Sequence, residues 1–138
     1  MAHYIGRTNA ALAVLLISAA ASVCFAADLH SPVPTDAALV IQRLIHAAES
    51  QDWDGVRSMM TEDFTYSLGN VEPGADAAIR SWKNEPQVLV EMQQVLRMGC
   101  GFMTRESLGC SGKGGFSYRA GIYKVNGEWK LKYFVAGD

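Results

Sequence analysis

Proline is scarce in this chain, with 4 residues among 138, and cysteine is scarcer, with 3. With 13 glycines and an apolar share of 49%, that excludes a collagen-like, low-complexity or disordered chain. There is no tandem repeat. Neither sign of charge dominates: 12 Lys and Arg stand against 14 Asp and Glu, a formal net charge of −2. No global positive field therefore recruits nucleic acid or an anionic membrane. Chemical motifs are lacking as well. The sequence holds no Cys-x-x-Cys, no Ser-His-Asp arrangement and no Gly-x-Ser-x-Gly elbow. The stretch from Gly109 to Gly115 has Gly114 after Lys113 and a strand beyond it, so it lacks the Ser or Thr and the helix that a phosphate loop needs. His30, His46 and two cysteines expected to be oxidised do not make a zinc or iron site, so no metal and no cofactor is expected.

No apolar run reaches the roughly 20 residues of a membrane-spanning helix. Ala11 to Phe25, interrupted only by Ser18 and Ser22, follows a segment carrying His3 and Arg7, and Asp28 is the first acidic residue. A positive start, a short apolar run and small residues at Cys24 and Ala26 describe a secretory signal peptide cleaved after Ala26. The expected location is periplasmic or secreted, in a bacterium. The alternatives are an uncleaved anchor and lipidation at Cys24, although Ala21, Ser22 and Val23 do not supply the usual lipoprotein pattern. Residues 27–34 form a flexible lead-in, and residues 35–138 form one domain.

After export only Cys100 and Cys110 remain, with no His close to either in sequence, and an oxidising compartment favours a disulfide between them. Thr35 and Asp36 open a helix whose face is Ile41, Leu44, Ile45 and Ala48, ending near Ser50. Asp52-Trp53-Asp54 starts a shorter helix with Val56, Met59 and Met60 inward. Phe64 to Leu68 alternates as a strand, stopping at Gly69-Asn70. Ala75, Ala78, Ile79 and Trp82 line a third helix; Pro86 opens a fourth, carrying Leu89, Met92, Val95 and Leu96 and ending at Gly99. Gly101 to Ser107 reads as a strand and Gly109 to Gly115 as a loop. Phe116 to Val125 and Glu128 to Ala136 flank Asn126-Gly127, a hairpin turn signal. In the last strand, alternation puts Trp129, Leu131, Tyr133 and Val135 on one face and Lys130 and Lys132 on the other. Helices first and strands last make an α+β domain.

Residues 35–138 resemble the nuclear transport factor 2-like (NTF2-like, SnoaL-like) superfamily, specifically its small exported bacterial members. The likeness rests on the amphipathic first helix, the Trp-Asp helix start at Gln51 to Val56, the Thr61-Glu62-Asp63-Phe64 entry into a strand, and the closing hairpin from Asn126 to Asp138. It implies N-terminal helices packed on a curved antiparallel sheet, a cone with a pocket at its mouth, and a homodimer formed through the sheet. Four strands are visible where relatives have up to six. Some relatives are isomerases or dehydratases; others bind ligands or act as interaction modules.

Proton-transfer chemistry in such a cone needs a carboxylate or His beside hydrogen-bond donors. Asp63, Glu91 and Glu106 are the carboxylates to consider, but Asp63 reads as a turn or cap, Glu91 as solvated, and Glu106 falls inside the disulfide loop. His46 reads as a boundary residue of its helix. No catalytic residue is assigned. Arg119 stands out: a charge on a central strand needs a carboxylate, solvent or an anionic ligand. Tyr66, Trp82, Arg119 and Tyr133 are the candidate ligand-binding residues. The expected function is non-catalytic binding of a small molecule or protein partner in the periplasm, without nucleic acid or membrane. The alternatives are a small isomerase or hydrolase of the same fold, or an envelope assembly module.

Overall fold

The computed structural model describes residues 32–69, 71–112 and 117–137. The signal segment, its cleavage position, Cys24, His30 and residues 113–116 of the glycine-rich loop lie outside them.

The chain runs as α1 (Thr35–Glu49), α2 (Trp53–Ser58), β1 (Met60–Thr65), α3 (Ala75–Asn84), α4 (Gln87–Arg97), β2 (Cys100–Thr104), β3 (Ser107–Ser111), β4 (Tyr118–Val125) and β5 (Glu128–Ala136). Pro34, rather than Thr35, precedes the first turn of α1, and the Asp36 carboxylate accepts the Ala37 N–H at 2.9 Å. Ala37, Leu44, Ala47 and Ala48 are its buried face, with Ile41 and Ile45 packed at the margin. Asp52 caps α2 by accepting the N–H of Gly55 at 2.9 Å. Both later helices fall where the sequence places them, and α3 buries Ala75, Ala78, Ile79 and Trp82.

The five strands lie in the order β1-β5-β4-β3-β2. Four of them pair antiparallel, and β1 runs parallel to β5, so the sheet is mixed rather than wholly antiparallel. A parallel pair needs a long crossover, and α3, α4 and the intervening strands supply it. β1 begins at Met60, directly after α2, instead of at Phe64, and Leu68 lies beyond its end, 73% exposed.

A second difference concerns residues 100–111. They form a hairpin of Cys100–Thr104 and Ser107–Ser111, so the single strand expected from Gly101 to Ser107 is broken by a turn and Gly109 to Ser111 belong to a strand rather than to the expected loop, which brings the total to five strands. Cys100 sits directly opposite Cys110 in this pair, with Cα atoms 4.2 Å apart, and the two are joined by a disulfide. The β4–β5 hairpin turns at Asn126 and Gly127, whose φ angles of 52° and 83° are the left-handed pair that a two-residue turn requires.

The third difference decides where the site lies. The register between β4 and β5 slips by one residue at Lys132, between the Gly121–Tyr133 and Ile122–Leu131 pairs. Such a bulge inverts the alternation beyond it. Trp129 and Leu131 face the helices as expected, but Phe134, not Tyr133 or Val135, continues that face. Phe64, Trp82 and Phe134 meet edge to face at ring distances of 5.5 and 6.0 Å, and Tyr118 stacks on Phe134 at 4.7 Å. This aromatic cluster, with Leu44, Met60, Leu89, Met92, Ile122 and Leu131, fills the space between helices and sheet.

Candidate functional site

Tyr118 and Ala120 face the core between the described helices and the sheet, so strand alternation sends Arg119 to the sheet's opposite side. There Arg119 pairs with Val135 of β5 and Ser111 of β3. Gly121 follows on the same face, and the ring of Tyr133 lies across it: a Cβ at Gly121 would stand 2.1 Å from the ring's Cε1. Only glycine accepts so close an approach. Tyr123 comes next, its ring 6.2 Å from that of Tyr133 at 67°. The Tyr133 hydroxyl donates weakly to the Met103 sulfur at 3.9 Å.

Arg119, Tyr123 and Tyr133 line an open groove of about 350 Å³. Arg119, Tyr123, Tyr133 and Val135 make its floor, and Lys132, Thr65 and Leu68 its rim. The bulge creates this arrangement by turning Tyr133 and Val135 out beside Arg119.

Charge within the groove is unevenly matched. Lys132 donates to Asp63 across the β1–β5 pair. That bond holds the Asp63 carboxyl below its usual range. Arg119 makes no ion pair among the described residues, and its buried Nε has no hydrogen-bond partner. Burial, and secondarily Tyr123, pushes the Tyr133 phenol up, with the Arg119 charge opposing, so its hydroxyl stays a donor at neutral pH.

The four residues singled out in the sequence are thus divided. Arg119 and Tyr133 come together in the groove. Trp82 is 5% exposed in the core, and Tyr66 packs against it at a ring distance of 6.3 Å, on the helix side of the sheet. Lys132, Tyr123 and Val135 were not singled out, because strict alternation places Lys132 and Val135 on opposite faces; only the bulge reconciles them.

The other candidates lie apart. Asp63 is a strand residue paired with Lys132, not a turn or cap. Glu91 is half-buried on α4, and Glu106 is exposed at the β2–β3 turn. His46 is exposed on α1, beside Arg43 and Asp52 in a shallow cleft between α1 and α2. Among the described residues no three His, Cys, Asp or Glu side chains group as a metal site requires. None of the described helices is long and apolar enough to cross a membrane.

The architecture is that of the NTF2-like fold. The structure is similar to an NTF2-like protein of unknown function from Shewanella oneidensis, with a TM-score of 0.50 and 15% identity, covering 75% of this chain and 97% of that one. It is also similar to an NTF2-like protein of unknown function from Pseudomonas putida, with a TM-score of 0.50 and 12% identity, covering 72% of this chain and 82% of that one. No protein-family model and no curated protein matches the sequence. At such identities the likeness is one of fold.

Proposed function

We propose that this chain is an exported, non-catalytic NTF2-like domain that binds a small molecule in the groove on the open face of its sheet. The observation that carries this reading is Arg119, a cation with no ion pair among the described residues and a buried, unpartnered Nε, lining the same groove as Tyr123 and Tyr133. A charge held at such a place needs an opposite charge or solvent, and a ligand supplies the first. None of the described residues lining the groove carries a carboxylate or imidazole that would act as a proton shuttle, and the Asp63 carboxylate is engaged by Lys132 of the rim. Export is supported by the signal-like N-terminus and by the Cys100–Cys110 disulfide, a bond that suits an oxidising compartment.

A ligand that binds only the folded state raises its stability by mass action. Dialysis against a small-molecule extract of the host periplasm should therefore raise the melting temperature of the native chain and leave an Arg119→Ala variant unchanged. An equal rise in both, or none in either, contradicts the reading.

Leu68 and Met103, 73% and 44% exposed beside the groove, favour one second reading, assembly of two copies through this face. A sedimentation mass that doubles with concentration, without any ligand effect, would select it.

A further inference from the structure

We infer that the groove takes a small organic monoanion, a carboxylate carried on an aromatic or aliphatic body; this rests on the groove being the binding site. The charge count leads to it. Among the described residues the groove has two cations, Arg119 and Lys132. Asp63 already neutralises Lys132, whereas Arg119 has no such partner among the described residues. Among the described residues one positive charge is left uncompensated, and it is a planar guanidinium whose fork matches a carboxylate.

The rest of the lining fits the body of such a ligand. Tyr123 and Tyr133, inclined at 67°, offer ring faces and edges with hydroxyls at their tips. Val135, 5% exposed, and Leu68 add apolar contact. A volume of about 350 Å³ lies within the range of small-molecule sites. A phosphate dianion brings a second charge that remains unmatched while Lys132 stays with Asp63. A neutral amide forfeits the charge-assisted hydrogen bond to Arg119.

The test uses the isotope-labelled protein with its disulfide intact, titrated by NMR at neutral pH with sodium benzoate, benzamide and phenyl phosphate. Benzoate should shift the amides of Arg119, Gly121, Lys132 and Tyr133 saturably, and benzamide should bind about tenfold more weakly. Phenyl phosphate should also bind more weakly than benzoate. Arg119→Gln should weaken benzoate about tenfold while leaving the remaining spectrum in place. Asp63→Asn frees Lys132, and should tighten phenyl phosphate more than benzoate. If benzamide matches benzoate, or phenyl phosphate exceeds it in the unaltered protein, the monoanion assignment fails and the groove stands. If millimolar benzoate shifts no groove amide, both fail.

Discussion

Arg119 illustrates how far a single residue can be read from its neighbours. Ala120 is buried and Tyr118 packs against the core, so the charge between them must emerge on the other face, and that much follows from period-two alternation. What it meets there depends on a bulge that no residue type announces. Gly121 is the other decisive position on this strand, because the Tyr133 ring occupies the space of its missing side chain. Gly121→Ala should displace that ring and cost about 1–3 kcal/mol by overpacking, seen as a lower urea midpoint, together with a loss of groove binding. Wild-type stability and binding in this variant would mean the ring does not lie over the glycine. Trp82 belongs to the core, and Trp82→Ala should cost about 3–5 kcal/mol in the same assay. A loss of ligand binding without such a cost would return Trp82 to the site.

Two exposed carboxylates add a dependence on pH. Hydrogen bonds from Lys132 to Asp63 and from Arg57 to Asp76 lower both carboxyls from the ordinary value of 3.8. The folded state therefore binds these protons less readily than the unfolded chain. Their contribution is complete above 3.8 and is lost as pH falls through the lower folded values. Urea midpoints should decline on acidification below about pH 4, and Asp63→Asn with Asp76→Asn should flatten that decline. An unchanged acid slope in the double variant would count against both pairs.

At the scale of elements, the helices were legible and the strand edges less so. Each helix has an apolar stripe, and Asp52, Pro86 and Gly99 mark ends that the structure retains. Asn126-Gly127 marked its hairpin because its geometry demands two left-handed residues. Residues 107–111 were harder: Gly109 and two serines look like loop, yet the strand forms because Cys110 pairs with both Cys100 and Ala120. Tertiary pairing there overrides composition. β2 is an edge strand, fastened to β3 by the disulfide across a sequence separation of 10. Replacing both cysteines with alanine should cost about 2–3 kcal/mol and speed amide exchange in β2 before the rest of the sheet. Uniform exchange across all strands would show that the bond does not hold this edge in particular.

At the scale of the whole molecule, the α+β class could be read from the order of elements and the NTF2-like architecture from the resemblance carried by Gln51 to Val56, Thr61 to Phe64 and the closing hairpin, but the position of the site could not. Tyr66 and Trp82 are aromatic residues on the right elements, but they meet inside the aromatic cluster, while Arg119 and Tyr133 meet outside it. The difference comes from one register shift at Lys132, which moves Tyr133 and Val135 from the helix side to the open side. The described helices therefore cover one face of the sheet with apolar packing, and the other face presents Arg119, which has no ion pair among the described residues. Arg57, donating to Asp76 at 2.6 Å and to Glu62 at 2.8 Å, ties α2, β1 and α3 together on the first of these sides, away from the groove.

Native mass spectrometry of the chain and its Arg119→Gln variant, both purified from the periplasm of the host, tests the central claim most directly. The account expects a denatured mass that starts at Ala27 and is two protons light. It also expects a small-molecule adduct on the native chain that is absent from the variant. Bare protein in both samples, or an adduct that survives the loss of Arg119, would contradict a ligand site on the open face of the sheet.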